Sequence, residues 1–303
     1  MNIETAAPVR VKGPLVWRDM DQKELDDAYD QAVYAPNRDV VIARRIAASE
    51  RTRAVLGPPQ RVAYGNSEFE QLDIFRTSQA SGKSAPVNVF VHGGAWRRNK
   101  AADYALLAEP LNRAGAHAVI IDFINVDQAG GDLNPMFEQV CRAIAWTWRN
   151  AESFGGDRSR FYLSAHSSGS HLLACALTLG WREQGLPESF CTGALLASGM
   201  YDLAPVRLSK RSAYVNFTDA TVEKLSAQRH LDGLHTPLIV AHGSLETPEF
   251  KRQARDFAAA VKAAGKPVEL VVGDGYNHFE LLETLANPYG LLGRAMLAQM
   301  RLA

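Results

Sequence analysis

An α/β architecture on a mostly parallel, doubly wound sheet is the fold class this chain predicts, from three observations. Short apolar runs alternate with amphipathic stretches of roughly 10–18 residues along most of its length, the rhythm of strands joined by crossover helices. Runs such as VNVFV (residues 87–91) and AHAVIIDF (116–123) are apolar without strict alternation, as strands covered on both faces are. One run, FYLSAHSSGSHLL (161–173), passes from strand to helix through a bend of small residues with Ser167 at its apex.

The elements follow in order. Residues 21–34 (DQKELDDAYDQAVY) and 39–56 have helical patterns separated by Pro36-Asn37, which marks 1–56 as a helical N-terminal extension. Residues 61–64 and 72–76 read as a short antiparallel pair split by Gly65-Asn66-Ser67. After the strand at 87–91, residues 104–113 read as a helix stopped near Gly115, and 116–123 as the next buried strand. Residues 136–150 are helical, Gly155-Gly156-Asp157 leads into the bend strand, and the helix after Ser167 extends to about Trp181. A strand at 193–198 precedes an irregular insertion at about 201–234. A strand at 237–241, a helix at 249–264 ended by Gly265-Lys266-Pro267, a strand at 268–272 and a helix at 289–302 complete the chain. With no repeat and no linker, residues 57–303 form one domain, and the N-terminal helices are a candidate roof for the pocket the fold creates.

The bend around Ser167 is a nucleophile elbow of the kind found in α/β-hydrolases, where strand and helix nearly touch and the residues two before and two after the serine must be small. Here they are Ala165 and Gly169; the first is more often glycine. A serine hydroxyl needs a base within hydrogen-bond reach and an acid to orient that base. In this fold the order is serine, acid, histidine, each beyond the carboxyl end of a strand. His278 follows the last strand in a loop loosened by Gly273 and Gly275. Glu246 is the first carboxylate after the strand at 237–241, with Asp202 and Asp274 as substitutes for it. Donors for a developing oxyanion are expected from the backbone of Ser168 and of Gly93-Gly94, at the end of the strand at 87–91. His92 would brace that loop, and Trp96, Phe123, Tyr201 and Phe217 supply candidate aromatic walls for a substrate.

Composition narrows the alternatives. The 303 residues are 47% apolar and 22% charged, with 33 basic and 33 acidic side chains and no long run of one sign. That balance argues against a nucleic-acid or anionic-membrane surface. Nothing approaches the roughly 20 apolar residues of a membrane span, and Met1–Thr5 lack the basic-then-apolar pattern of an export signal. Cys141, Cys175 and Cys191 are odd in number and sit in apolar patterns, so buried reduced thiols and a cytoplasmic setting are expected. The eight histidines form no cluster with metal-ligand spacing, and Gly93-Gly94 is followed by no Gly-Lys-Ser/Thr, so neither a metal nor a nucleotide cofactor is expected. The oligomeric state is open, a homodimer included.

The elbow AHSSGSHLL, the loop HGGAWRR, the segment ETPEFKRQARDF followed by YNHFELLETL, and LDDAYDQAVYAPN near the N-terminus resemble the kynurenine formamidase-like (arylformamidase) α/β-hydrolases from about residue 20 to 285. The resemblance implies hydrolysis of the formamide of an aromatic amine, N-formylkynurenine first, with the triad falling on Ser167, Glu246 and His278. Ala165 and a glutamate in the acid position depart from the commoner pattern and put the substrate in question. A carboxylesterase for small or aromatic esters is the alternative on the same residues; a catalytically silent binding protein is the reading that the Ser, His, acid and Gly-Gly together oppose.

Overall fold

A computed structural model describes residues 10–79 and 84–302; Met1–Thr5 lie outside them. The first regular structure among the described residues is a two-stranded hairpin, β1 (Leu15–Trp17) and β2 (Met20–Asp21). Asp21 then caps helix α1 (Gln22–Ala28) in a reciprocal capping box with Glu24. The helical pattern of 21–34 does not run through as one helix. It breaks at Tyr29-Asp30, and a 3₁₀ turn, Gln31–Tyr34, follows with the Asp30 side chain as its cap. The physical reason is burial: Tyr29 and Gln31 turn inward onto the body of the molecule, which a continuous surface helix would not allow. Helix α2 (Arg38–Leu56) comes next and ends at Gly57.

The sheet has eight strands: β3 (Gln60–Ala63), β4 (Gln71–Phe75), β5 (Ala85–Val91), β6 (His117–Ile121), β7 (Gly156–His166), β8 (Gly193–Ala197), β9 (Leu238–Gly243) and β10 (Val268–Gly273). Their spatial order is β10-β9-β8-β7-β5-β6-β4-β3. The β3–β4 and β4–β6 pairs are antiparallel and every other pair is parallel. This is the α/β-hydrolase fold, with its antiparallel part confined to one edge.

Both faces are covered because the strand residues split between them. Val87, Val89 and Val91 of β5 join one apolar core, and Phe90 joins the other. The first core is closed by α4 (Asn134–Asn150), α5 (Ser168–Leu177) and α7 (Pro248–Ala263). The second is closed by α3 (Ala108–Arg113), α8 (His278–Leu285) and α9 (Leu291–Gln299). Between β8 and β9 the chain makes 3₁₀ turns and the short α6 (Asp219–Lys224). Several boundaries differ from the sequence reading, the closing helix among them, which spans Leu291–Gln299 rather than 289–302. The stretch before α3 is a 3₁₀ segment, Ala101–Leu107, and α5 stops at Leu177, short of Trp181, because Leu179-Gly180 turns the chain and Trp181 folds back to donate to the Ala176 carbonyl.

No helix among the described residues is long and apolar enough to cross a membrane. The three cysteines are free and buried, and burial pushes the thiols up, Cys175 and Cys191 to about 12.

Candidate active site

The site forms where β5, β7, β8, β9 and β10 end on the same side of the sheet. Ser167 sits between β7 and α5 at φ 59° and ψ −128°, a conformation L-residues rarely adopt. Its N–H donates to the Ala197 carbonyl at 2.9 Å, which ties the bend to β8. The sharpness of the bend explains Gly169. A Cβ there would stand 2.2 Å from the Val91 carbonyl oxygen and 2.5 Å from that of His92, so the helix approaches β5 more closely than any side chain permits. Ala165, by contrast, is wholly buried inside β7, level with Val91 on one side and Leu196 on the other, and its methyl is packed without leaving the strand.

Three side chains meet in a line. Ser167 Oγ is 2.8 Å from His278 Nε2, and His278 Nδ1 is 2.9 Å from Glu246 Oε2. His278 is the first residue of α8, and the Asn277 side chain caps that helix by accepting from the N–H groups of Phe279 and Glu280. The cap fixes where the imidazole leaves the backbone. Phe250 and Phe279 meet its ring edge-on, each 5.3 Å between centroids. His166, next to the serine, lies 4.6 Å from the His278 ring, and its Nε2 is 2.9 Å from the His278 carbonyl. Burial, with His278 nearby, holds His166 well below the ordinary histidine value, so its neutral Nε2–H donates to that carbonyl.

Glu246 is fully buried. Burial by itself would raise its carboxyl. The His278 ring, the Gly243 N–H at 2.7 Å and the Ser198 hydroxyl at 2.6 Å outweigh burial and hold it below the usual glutamate value. Gln31 Nε2 adds a further hydrogen bond, 3.0 Å to the same Oε2 that faces His278. Of the substitutes for the acid, Asp202 is drawn to Arg229 at 3.0 Å and Asp274 accepts from the Ser244 hydroxyl at 3.1 Å. Neither points at the imidazole.

Across the serine, the turn after β5 brings Gly93 against the elbow. A Cβ on Gly93 would lie 2.7 Å from both the Ser167 Cβ and the His166 carbonyl oxygen. Ala95 and Trp96 continue the turn with positive φ, and the Trp96 N–H donates to Ser168 Oγ at 3.1 Å. The first turn of α5 leaves the Ser168 N–H without an intrahelical acceptor.

The predicted walls divide. Trp96 is buried, its indole N–H 3.2 Å from His171 Nδ1, and half-buried Phe217 stands 6.3 Å from it. Burial pushes His171 down to about 4, which leaves Nδ1 free to accept. His92 lies behind the loop, its ring stacked on Phe123 at 4.5 Å and on Tyr104 at 5.6 Å, with Nδ1 2.9 Å from the Gly93 carbonyl. It therefore braces the turn, with Phe123 stacked against it. Tyr201 is not an exposed wall: its ring is completely buried and stacks on Phe257 of α7 at 4.1 Å.

Sequence reasoning passed over Ser198 and Gln31. Ser198 carried one signal, its place directly after β8, where it adopts φ 57°. Gln31 carried none, since it reaches Glu246 across 215 residues of chain. Among the described residues there is no group of three or more His, Cys, Asp or Glu side chains able to hold a metal ion.

Known proteins place this geometry in context. A family model described as BD-FAE matches residues 72–189. The chain is similar to the kynurenine formamidase of Danio rerio, 28% identical over 93% of this chain and 97% of that protein, and to that of Salmo salar, 26% identical over 89% and 94%. It is also similar to esterase LipC of Mycobacterium tuberculosis, 30% identical over 72% of this chain and 60% of that protein. Among solved structures, a putative thioesterase from Silicibacter sp. superposes with a TM-score of 0.76 at 22% identity, covering 89% of this chain and 98% of that one. Esterase LipW from Mycobacterium marinum gives 0.67 at 18%, covering 90% of each. With the fold, these similarities make the chain a hydrolytic enzyme of the α/β-hydrolase fold, similar to kynurenine formamidases and esterases.

Proposed function

We propose that this protein is a serine hydrolase that cleaves a small N-formyl arylamine, with N-formylkynurenine the first candidate. The observation that carries the reading is the line Ser167–His278–Glu246, with hydrogen bonds of 2.8 and 2.9 Å, opposite a Gly93-Gly94 turn packed on the nucleophile. Ser167 Oγ attacks the formyl carbon while His278 Nε2 takes its proton, and Glu246 holds the imidazole at Nδ1 and stabilises the imidazolium. The oxyanion is received by the N–H groups of Gly93, Gly94 and Ser168. The C–N bond then breaks as His278 returns the proton to the leaving amine. A water molecule, deprotonated by His278, attacks the formyl-enzyme and releases formate and the free serine. Trp96, with Phe217 beside it, lines the side on which a flat ring would rest. In this reading residues 57–303 are the hydrolase domain with an insertion at about 201–234, and residues 1–56 are an extension that completes the site.

The same residues would serve a carboxylesterase, and the similarity to esterase LipC favours testing it alongside. Turnover of N-formylkynurenine, p-nitrophenyl acetate and an aryl acetamide should be compared on one preparation, with Ser167→Ala as control. The formamide should give the highest kcat/KM, and Ser167→Ala should lose about 10³-fold or more on every substrate. An enzyme that hydrolyses the ester and leaves the formamide untouched is an esterase. A Ser167→Ala protein keeping a tenth of the rate would remove Ser167 as nucleophile.

A further inference from the structure

The insertion brings a guanidinium to a place that the hydrolytic steps do not require. Arg211 lies in the 3₁₀ turn Lys210–Ala213 and is 7% exposed. Its Cζ stands 5.2 Å from the Trp96 ring centroid and 6.0 Å from that of Phe250. Trp96 belongs to the turn that carries Gly93-Gly94 and is bonded to Ser168, whereas Phe250 meets the His278 ring edge-on. The two rings flanking the cation therefore reach the two sides of the Ser167–His278 pair.

The partners of Arg211 are neutral. Nε and Nη2 donate to the Tyr29 carbonyl at 3.1 and 2.9 Å, and Nη1 to the Tyr214 hydroxyl at 3.2 Å. The nearby Asp30 carboxylate is engaged elsewhere, by Lys210. Among the described residues no carboxylate oxygen comes within 4.0 Å of the guanidinium, although a buried cation without an anion is costly. Three of its five N–H bonds are committed, leaving two for a ligand.

We propose that Arg211 is the receptor for a carboxylate on the leaving-group side of the substrate, so that the enzyme selects anionic over neutral aryl substrates. This rests on the hydrolase reading of Ser167. A formyl group carries nothing beyond its hydrogen, so any anion in the substrate belongs to the amine half. A guanidinium with two N–H bonds uncommitted can pair with a carboxylate by charge and by hydrogen bond, and the flanking rings limit its contact with water.

The test uses two substrate pairs: ortho-acyl aryl formamides ending in a carboxylate or its primary amide, and aryl acetate esters with the same two endings. The wild-type enzyme should show a KM at least tenfold lower for each acid than for its amide. Arg211→Gln, which can still donate to the Tyr29 carbonyl, should raise KM more than tenfold for the acids and less than threefold for the amides, with kcat nearly unchanged; Arg211→Lys should fall between. If no formamide is turned over, the formamidase reading fails, and the ester pair still decides the role of Arg211. Equal losses on acid and amide, or none on either, would reduce Arg211 to a strap between Tyr29 and Tyr214 and overturn the proposal. Should Arg211→Gln fail to fold, competitive inhibition of the wild type by the product-like amino acid ketone and its amide decides: equal inhibition constants refute the receptor.

Discussion

Gln31 offers the sharpest test of how the N-terminal segment meets the site. Its Nε2 lies 3.0 Å from Glu246 Oε2, and its Oε1 accepts from the Thr247 N–H at 3.3 Å. Gln31→Glu preserves the shape and places a second carboxyl against a fully buried one. Two unit charges 3.0 Å apart at an effective dielectric constant of about 20 repel by about 5 kcal/mol, equivalent to about four pKa units. The introduced carboxyl therefore stays protonated in the folded protein, donating to Glu246 much as the amide did, but ionises at about 4.3 in the unfolded chain. A group whose folded pKa is raised in this way destabilises progressively as pH climbs above the unfolded value, and the loss levels off at the folded one. The wild-type-minus-variant stability gap should thus be near zero at pH 4 and widen by about 1.4 kcal/mol per pH unit, reaching roughly 4 kcal/mol at pH 7. Urea unfolding at half-unit pH intervals reads this directly. A gap that stays flat from pH 4 to 8 would mean that residue 31 does not face the acid.

Three further outcomes follow from the geometry of the site. Glu246→Gln should lower kcat by about 10²–10⁴-fold, whereas Asp202→Asn and Asp274→Asn should keep most of the activity; the reverse pattern would name another acid. Because the Glu246 carboxyl is held below its usual value, its contribution to stability is present above about pH 4.3 and disappears as pH falls through the folded value, so the melting temperatures of wild type and Glu246→Gln should converge in acid. Gly169→Ala would drive a methyl into the Val91 and His92 carbonyls and should destabilise by at least 1–3 kcal/mol in urea unfolding; a change under about 0.5 would show that the elbow is looser than its geometry.

What the sequence made legible was local. The elbow could be read because Ala165 and Gly169 sit at fixed offsets from Ser167, and tight strand–helix contact demands small residues there. Glu246 and His278 could be read because β9 and β10 end a few residues before each, and a parallel sheet collects such loops on one side. The mostly parallel, doubly wound sheet followed from alternation of strand and helix, whereas its strand order did not. Long-range packing stayed hidden. Residues 21–34 carry a helical pattern, yet burying Tyr29 against Glu249 and Gln253 outweighs propensity and breaks the helix. Tyr201 looked like a wall because it follows a strand end; nothing near it in sequence announces Phe257, on which it stacks.

The extension and the acid explain one another. A fully buried carboxylate has lost its water and must regain an equivalent set of donors from the protein. Glu246 draws them from four separate places: the Gly243 N–H in its own turn, the Ser198 hydroxyl beyond β8, the His278 imidazole at the start of α8, and the Gln31 amide from the N-terminal segment. Three belong to the sheet's own strand ends and would exist without residues 10–37. The fourth would not, and the rest of that segment is anchored to hold it. Tyr29 donates to Glu249 at 2.7 Å and accepts from Gln253, and Asn37 bonds both Glu280 and the Asn277 that caps α8. The extension thus grips the acid's helix, the histidine's helix and the acid itself, on the side of the triad away from Ser167. On the proposed reading of the triad the segment orders the base and its partner, so its loss should depress kcat on formamide and ester alike.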